Sequence, residues 1–410
     1  TLSQEFRLLS TYDSPVNFML GAYYQHTKLD FTNDALIAAL PVDAATGKYH
    51  TWERSGDTNG NTYSVFGQLI WNILPTLELA GGVRYTHETK NSQMANQYVY
   101  PLLSGTVLAP QGKQFVDRYA DNNYSPEATL SYRPTSDFTA YVAYKTGYKS
   151  GGFGLGTSLI PANITVASLH FGAEQIKGVE GGIKANLFDR RATVTSAVYS
   201  YKYSDLQVNS FDPATTSYRT TNAAEARIKG FELDFNARAT EWLNLNAGIA
   251  YSSARYLQYL AGCYSGQTAA MGCNVANSNG SFSQNMAGKP LARAPDWSGS
   301  AGFDVNLPLG DSLKFGLTGN TRYSDKYLAL DSGNPAGTQQ SFWLFDASAR
   351  VGSIDERWEV ALIGRNLGNK WYAGYAADKP GAPVTAGTPS QVMAAPNRGR
   401  QVLLQVSTRF

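Results

Sequence analysis

Apolar and polar residues alternate along most of the chain. This period of two predicts β-strands, because successive strand side chains point to opposite faces. The alternation is clear at residues 241–251, EWLNLNAGIAY. One face of that segment carries Leu243, Leu245, Ala247, Ile249 and Tyr251. The other face carries Asn244, Asn246, Gly248 and Ala250. About fifteen such segments follow one another without a helical period, so we expect an all-β protein.

The connectors between these strands alternate between short turns and long polar segments. The short turns are expected at residues 10–14, 74–76, 133–137, 188–190, 239–241, 308–311 and 353–356. The long segments are expected at residues 32–58, 91–118, 151–172, 209–220, 259–290, 328–340 and 371–395. An antiparallel meander with two such different rims is typical of a transmembrane β-barrel. The apolar faces would then meet lipid and the polar faces the lumen.

Composition agrees with a wall that faces lipid. Charged residues make up 16% of the 410 positions, whereas Tyr (26) and Gly (39) are abundant. Mean hydropathy is −0.30, and the longest nearly apolar run, residues 18–24, is far shorter than the ~18–20 residues of a membrane helix. The net charge of +2 gives no reason to expect a nucleic-acid partner. Interfacial girdle positions are predicted for Trp52, Trp71, Trp242, Trp343, Trp358 and Trp371.

The C-terminal segment at residues 396–410, PNRGRQVLLQVSTRF, also reads as a strand. Taken alone, it would favour an edge strand of a soluble sandwich. Together with the preceding strands it resembles the closing strand of a bacterial outer-membrane barrel. An aromatic C-terminal residue preceded by apolar residues at every second position resembles the signal that the barrel-assembly machinery recognises in such barrels. Here that signal would consist of Val402, Leu404, Val406 and Phe410.

Several stretches resemble TonB-dependent outer-membrane receptors, in the order that this family has them. They are SQEFRL (3–8), GGVRYT (81–86), SPEATLSYRP (125–134) followed by YVAYKTGYKSGGF (141–153), Glu174 with EGGIK (180–184), KGFEL (229–233) and GRNLGNKWY (364–372). The resemblance covers nearly the whole chain. Its most specific part is the region from 125 to 153.

This resemblance implies a barrel of about 22 strands, filled by an N-terminal plug domain, in the outer membrane of a Gram-negative bacterium. It also implies uptake of a scarce, large solute, most readily a ferric siderophore, energised through the TonB complex. The implied partners are outer-membrane lipid, the plug domain, the TonB complex, the solute and the barrel-assembly machinery. No cofactor is implied.

The chain accounts for about fifteen of those strands, so residues 1–410 are expected to form a single, partial β-barrel domain. Thr1 leads directly into a strand pattern without a signal peptide. The plug and the first barrel strands are therefore expected to be absent. If Phe410 lies at the periplasmic rim, every short turn is periplasmic and every long segment is extracellular.

Cys263 and Cys273 are the two cysteines of the chain and lie in one Gly-, Ser- and Asn-rich segment. This placement favours a local disulfide in an oxidising compartment, contributing roughly 2–3 kcal/mol in the chain-entropy model. Free or metal-binding thiols remain the alternative.

Catalytic motifs are scarce, so we do not expect an enzyme. The glycines of GFGLG (152–156) resemble a phosphate-binding loop, but no βαβ unit surrounds them, and flexible loop glycines are the better interpretation. The histidines are scattered, and a metal site is less expected than solvated loop positions for His26, His50, His87 and His170.

Ligand contact is expected in the long connectors, where aromatic residues lie among Arg, Lys and Asn. The candidates are Tyr98, Tyr100, Tyr119, Phe153, Phe171, Tyr264 and Phe282. Each ring could instead simply pack against its neighbours. The lumen is expected to carry charged residues that pair across strands, namely Lys184, Lys229, Glu232, Asp234, Glu359 and Arg365.

Two other functional classes stay open at this point. A passive porin-like channel would share the barrel but would have a constricting loop and a complete, even set of strands. A soluble β-rich lectin or adhesin would share the alternation but not the membrane.

Overall fold

The computed structural model describes residues 1–36, 40–155, 160–212, 217–277, 280–379 and 385–409. Phe410, the last residue of the predicted assembly signal, lies outside these ranges, whereas Val402, Leu404 and Val406 lie on a described strand. Among the described residues, no helix is long and apolar enough to cross a membrane.

The described residues form 23 strands and four short 3-10 helices. The strands are β1 (Leu2–Leu9), β2 (Val16–Ala35), β3 (Trp52–Leu74), β4 (Leu77–Val99), β5 (Phe115–Thr135), β6 (Phe138–Lys149), β7 (Gly152–Phe153), β8 (His170–Phe171), β9 (Glu174–Leu187), β10 (Ala192–Asp212), β11 (Ser217–Arg238), β12 (Leu243–Gly262), β13 (Cys273–Ala276), β14 (Phe282–Asn285), β15 (Trp297–Leu309), β16 (Leu313–Ser324), β17 (Tyr327–Leu328), β18 (Thr338–Gln339), β19 (Phe342–Ser353), β20 (Trp358–Arg365), β21 (Ala373–Asp378), β22 (Val392–Pro396) and β23 (Gln401–Thr408). The 3-10 helices are Pro101–Leu103, Val166–Ser168, Ala269–Met271 and Pro335–Gly337.

Fifteen of the described strands form one continuous antiparallel sheet, which we call the wall. Each wall strand pairs with the next wall strand along the chain, in the order β1 to β6, β9 to β12, β15, β16, β19, β20 and β23. The eight short strands lie within the connectors. The predicted all-β antiparallel meander is therefore confirmed.

The two rims of the wall differ as predicted, but the long segments expected at 32–58 and 91–118 are shorter, at 36–51 and 100–114, because the flanking strands extend into them. Brief turns join the wall strands at residues 10–15, 75–76, 136–137, 188–191, 239–242, 310–312 and 354–357. The predicted long segment at 209–220 is wrong, because β10 continues to Asp212 and β11 begins at Ser217, with Asn209 opposite Thr220. Polar side chains do not end a strand whose backbone groups still find partners across the ladder.

Wall strands differ greatly in length. β3 and β4 have 23 residues each, and β2 and β5 have 20 and 21. At about 3.3 Å per residue, β3 is roughly 75 Å long, whereas about 9–11 residues suffice to cross a membrane. β20 and β23 have only eight residues each. We call β2–β5 the tall side, and β15, β16, β19, β20 and β23 the low side.

One face of the wall exposes apolar side chains, and we call it the outward face. In β12, Leu245 is 37% and Ile249 43% exposed, and the cross-strand partners Phe303 and Leu233 are similarly exposed. These positions match the apolar face predicted for residues 241–251. Exposed tryptophans mark both edges of this apolar band: Trp71, Trp242 and Trp358 next to the short turns, and Trp297 and Trp343 toward the other rim.

The best-buried hydrophobic clusters lie near the rim with the long connectors, which we call the outer rim. One cluster contains Met94, Phe115, Phe153 and Ile160 and belongs to the tall side. A second contains Tyr256 and Tyr259 of β12, and a third, around Leu330 and Ala376, lies above the low side. The outer rim is thus a packed layer that surrounds the mouth of the lumen.

Candidate ligand-contact surface at the outer mouth

The face opposite the apolar band carries polar contacts that cross several wall strands. Lys145 Nζ of β6 lies 2.8 Å from Glu180 Oε1 of β9, and Tyr201 of β10 donates its hydroxyl to Glu180 Oε2 at 2.7 Å. Gly182 leaves room for the Tyr141 ring, since a Cβ there would lie 2.8 Å from a ring carbon. Three adjacent strands are therefore tied together on the lumen side.

A second contact group spans β15, β16 and β19. Arg350 Nη2 of β19 lies 3.1 Å from Asp304 Oδ2 and 2.6 Å from Asn306 Oδ1, both on β15. The intervening β16 strand has Gly316 at this level, where a Cβ would lie 2.4 Å from Arg350 Nε. The missing side chain lets the guanidinium reach across a whole strand. These partly exposed pairs organise the wall but each stabilises it little.

Five of the six predicted lumen charges have the parity of the inward face, and Lys229 does not. Lys229 shares its face with Phe231, whose ring lies 6.2 Å from Tyr251 and 5.7 Å from Trp297. The prediction for Lys229 is therefore wrong, because an odd-numbered residue of β11 cannot share a face with its even-numbered neighbours. The predicted inward set is then Lys184, Glu232, Asp234, Glu359 and Arg365.

A groove of about 440 Å³ opens on the inward face. Its lining includes the carboxylates of Glu232 and Asp234, the hydroxyl of Ser300 and the guanidinium of Arg322. Both signs of charge are present, so the groove suits a polar contact surface rather than a site for one simple ion.

A polar network at the tall side holds the connector after β6 against the wall. Glu88 accepts hydrogen bonds from Tyr148 at 3.2 Å and from Ser150 at 2.8 Å, and its Oε1 lies 3.0 Å from Lys90 Nζ. Lys90 also donates to the carbonyl of Gly151 at 2.8 Å. The start of connector 150–173 is thereby fixed over the inner surface of β4.

Tyr119 completes this attachment. Its hydroxyl accepts the backbone N–H of Gly151 at 2.9 Å and donates to Asp121 Oδ2 at 2.9 Å. Burial raises the pKa of Tyr119 above its ordinary value of 10.0. The hydrogen bond from the Gly151 N–H acts in the opposite direction, and the carboxylates of Asp121 and Glu88 raise the pKa further. The phenol therefore stays protonated and acts as a structural hydrogen-bond donor rather than as an anionic ligand.

The connector between β2 and β3 is organised by Asp43. Its carboxylate accepts from Thr46 at 2.6 Å, from the backbone N–H of Ala45 at 3.0 Å and from Tyr98 at 3.0 Å. The Thr46 hydroxyl and the Ala45 N–H lower the pKa of Asp43 below its ordinary 3.8. Nearby, burial lowers the pKa of Arg54 to about 10, so this guanidinium remains charged at neutral pH.

Above the low side, three connectors interlock. The amide of Gln284, 1% exposed, donates to the carbonyls of Gly262 at 2.9 Å and Ser332 at 2.7 Å. Asn334, fully buried, donates to Asp378 Oδ1 at 2.7 Å and to the carbonyl of Ser390 at 3.1 Å. Connectors 263–296, 325–341 and 366–400 are thus joined through buried side-chain amides.

Cys263 and Cys273 form a disulfide in the first of these connectors, with their Cα atoms 5.7 Å apart. Tyr264, beside the disulfide, is buried. Phe282 of β14 is 54% exposed, and the carbonyl oxygen of the same residue lies 3.4 Å from Cys263 Sγ. The disulfide therefore lies next to an exposed aromatic ring.

The seven predicted ligand-contact residues fall into three local groups rather than one site. Five are buried: Tyr98, Tyr100, Tyr119, Phe153 and Tyr264. Phe171 is half-buried. Phe282 alone of the seven presents most of its ring to solvent.

Two exposed aromatic residues of the connectors were missed by the sequence analysis. Tyr49 is 61% exposed and packs edge-on against His50 at 4.7 Å. Tyr375 is 51% exposed, and Arg293, which pairs with Asp331 at 3.0 Å, lies 5.7 Å from its ring centroid. Both residues met the same sequence criterion as the seven candidates, so only exposure separates them.

The four histidines lie apart. His26 and His87 contact Asn61 and Asn122, at 3.1 and 2.9 Å, and His50 and His170 lie beside Glu53 and Asp117, at 2.8 and 2.6 Å. Within the described ranges, no group of three or more His, Cys, Asp or Glu side chains could hold a metal ion.

Comparison with known proteins identifies the family. The family described as TonB dependent receptor-like, beta-barrel matches residues 1–367. The probable TonB-dependent siderophore receptor PiuA of Acinetobacter baumannii is 24% identical over 248 residues, which are 60% of this chain and 30% of that protein. The pesticin receptor of Yersinia enterocolitica is 23% identical over 232 residues, 56% of this chain and 30% of that protein.

A solved structure shows the same fold. The ferric yersiniabactin uptake receptor FyuA from Yersinia pestis superposes with a TM-score of 0.72 at 16% identity, over 98% of this chain and 53% of that receptor. The chain thus spans about half of this receptor and less of the curated relatives. The family consists of receptors and transporters of the Gram-negative outer membrane, not of enzymes. The chain belongs to the TonB-dependent receptors and corresponds to their β-barrel.

Proposed function

We propose that this chain is the major part of the barrel of an outer-membrane receptor that takes up a ferric siderophore or a similar metal chelate. The proposal rests on the wall itself, which is apolar outside, charged inside and bordered at the outer rim by packed connectors. The relatives support the solute class, since one is named a siderophore receptor and another a ferric yersiniabactin uptake receptor.

In the complete receptor, the partners would be a plug domain within the lumen, the TonB complex, outer-membrane lipid and the barrel-assembly machinery. The inward charges and the groove beside Glu232, Asp234 and Arg322 would contact the plug. Residues 1–410 would then act as a single barrel domain. Val402, Leu404, Val406 and Phe410 would form its assembly signal.

Within the outer mouth, we assign ligand contact to the exposed rings and a packing role to the buried ones. Phe282 and Tyr375 offer exposed aromatic area above the low side, and Arg293 next to Tyr375 adds a cation suited to an anionic chelate. The packing role, which keeps the connectors in place, would belong to Tyr98, Tyr100, Tyr119, Phe153 and Tyr264. Phe171 is half-buried and could contribute to both packing and ligand contact.

The test is uptake of ⁵⁵Fe-labelled chelates by cells that express the complete receptor. Uptake that requires both the receptor and TonB supports the proposal. Uptake that persists without TonB and rises linearly with concentration would instead support a passive porin-like channel. Release of the protein from membranes by alkaline carbonate without detergent would support the soluble lectin or adhesin alternative.

The contact assignment has its own variants. Phe282→Ala should weaken chelate binding by about fivefold to tenfold, a loss of ~1 kcal/mol typical of an exposed aromatic contact. The control is Tyr63→Ala, because Tyr63 is 51% exposed but lies on the outward face of β3. Equal effects of the two variants would contradict the assignment.

A further inference from the structure

Four basic side chains lie directly opposite one another on four adjacent wall strands. Lys177 of β9 faces Lys202 of β10, Lys202 faces Arg227 of β11, and Arg227 faces Arg255 of β12. We call these four residues the cationic row. Like charges directly opposite across a ladder destabilise a sheet. The stability of the wall alone therefore does not account for the row.

The cationic row lies on the outward face. Arg227 and Arg255 share their strand parity with Phe231 and Tyr251, whose rings pack in the apolar band. The alternate position Ala226 points the other way and is fully buried. The four cations therefore project away from the lumen and cannot contact a solute or plug inside it.

The height of the row matches the edge of the apolar band. Lys202 lies ten residues above the start of β10 at Ala192, and Arg255 lies twelve above Leu243. With about 3.3 Å per residue and a strand tilt near 40°, these positions are roughly 25–30 Å above the short-turn rim. The apolar band of such barrels is about 25 Å tall. The row therefore lies at the level of the polar groups of the outer leaflet.

The charge of this surface is only partly compensated. Lys202 pairs with Glu225 at 2.9 Å, and Arg255 pairs with Asp296 at 2.6 Å. In the part of the chain that the structure describes, no carboxylate lies within ion-pair distance of the exposed Lys177 and Arg227.

Lys229, two positions below Arg227 on the same face, likewise has no ion-pair partner among the described residues, and Ser200 and Ser253 flank it directly. Five cations and two carboxylates leave a net charge of +3. The hydroxyls on either side of Lys229 add hydrogen-bond donors next to that charge.

We propose that the cationic row and Lys229 bind the phosphate groups of a phosphorylated lipid of the outer leaflet. The acyl chains of this lipid would lie over the cluster of Phe231, Tyr251 and Trp297 immediately below. Arg and Lys both bind phosphate, and the guanidinium does so through two parallel hydrogen bonds. This inference rests on the proposed outer-membrane placement of the barrel, but it adds a binding site outside the lumen.

The test measures binding of a bis-phosphorylated lipid A to the complete receptor in non-ionic detergent. The triple variant Lys177→Gln/Arg227→Gln/Lys229→Gln removes the three cations without carboxylate partners. A cation at an anionic lipid surface contributes about fivefold in affinity, so the triple variant should raise the Kd by roughly 100-fold. The control Lys113→Gln/Arg118→Gln removes two exposed cations at the upper end of the tall side, well above the level of the row, and should change the Kd less than about twofold.

Three results would overturn the proposal. They are equal Kd values for the triple variant and the control, equal binding of the dephosphorylated lipid, and displacement of the lipid by inorganic pyrophosphate at the same phosphate concentration. The last result would indicate a general anion site.

The Tm and ⁵⁵Fe uptake of the variants distinguish loss of lipid binding from loss of folding or of transport. The triple variant should keep or raise its Tm in lipid-free detergent, because it removes like-charge contacts, and Arg227→Lys should keep most of the binding. Loss of lipid binding with normal ⁵⁵Fe uptake separates this site from the proposed transport function. Normal lipid binding without uptake would contradict only the latter.

Discussion

The tall side and the low side build the outer rim in different ways. On the tall side the wall strands themselves continue above the apolar band, and their inner surfaces enclose a hydrophobic cluster around Met94 and Phe115. On the low side the strands stop early. Irregular connectors replace them, held by the disulfide and by the buried amides of Gln284 and Asn334.

The difference shows two ways to satisfy backbone polar groups outside the membrane. On the tall side the ladder itself pairs the backbone N–H and C=O groups of the extended strands, and side-chain hydrogen bonds serve to attach the connectors to them. Irregular connectors lack that ladder and must use side-chain amides to bond buried carbonyls. Exposed aromatic rings occur in both regions: Tyr49 lies in a tall-side connector, and Phe282 and Tyr375 lie above the low side.

The largest expected effect breaks the tall side alone. Met94→Ala removes a 2% exposed side chain from its cluster and should cost about 2–5 kcal/mol of local unfolding free energy. Native-state hydrogen exchange should show lost protection at the outer ends of β4 and β5, with the low-side connectors unchanged. Met393→Ala, at a residue 50% exposed, is the matched control and should have little effect. Equal losses on both sides would mean that the two regions are one cooperative unit.

The second prediction concerns the band that both regions share. Leu245→Arg should cost about 2–4 kcal/mol in lipid vesicles if it places a charge in hydrocarbon, whereas Asn246→Arg should be nearly neutral. Urea titration of vesicle-inserted protein measures both values. Tall and low sides should be lost together in Leu245→Arg, and equal costs at the two sites would refute the assigned faces.

A third change acts on the low side. Replacing both cysteines, Cys263→Ser/Cys273→Ser, should cost roughly 2–3 kcal/mol of local stability in the chain-entropy model. Hydrogen exchange should increase in connector 263–296 and leave β4 and β5 protected. As a control, alkylation of the denatured, unreduced protein should find no free thiol. Labelling of both Cys263 and Cys273 would show that the disulfide does not form and would contradict this prediction.

The smallest expected effect sharpens the description of the tall side. The pKa of Asp43 is lowered in the folded protein, so its contribution is present above pH 3.8 and is lost as the pH falls below that value. Protection factors of the Gly47 and Lys48 amides should therefore drop as the pH is lowered from about 4 to about 2. Asp43→Asn should make them independent of pH over that interval, and unchanged acid sensitivity in this variant would assign the effect to another group.

The period of two in the sequence predicted correctly those features that depend on local alternation. It placed Leu245 and Ile249 outward, and it predicted the seven short turns because turn residues interrupt the alternation there. It failed at residues 209–220, where polar composition was taken for a loop although the ladder continues. The prediction for Lys229 was wrong because it followed the charge of the side chain. Phe231, two residues away on the same strand face, shows that Lys229 points outward.

The candidate contact residues illustrate a deeper limit. Tyr119 and Phe282 look alike in sequence, each an aromatic residue in a polar segment. One is buried beneath connector 150–173 and the other is exposed beside a disulfide. Burial depends on how distant connectors fold over each ring, and no local pattern carries that information.

By itself, the sequence determined most of the wall strands, the order of their pairing and the apolar outward face, because alternation and turn chemistry are local properties. Only the tertiary structure decided how tall each part of the wall is, which rings the connectors cover, and that Lys177, Lys202, Arg227 and Arg255 meet in one row. The row depends on register between residues that are 25 to 28 positions apart in sequence, and register is fixed by the whole sheet rather than by any single segment.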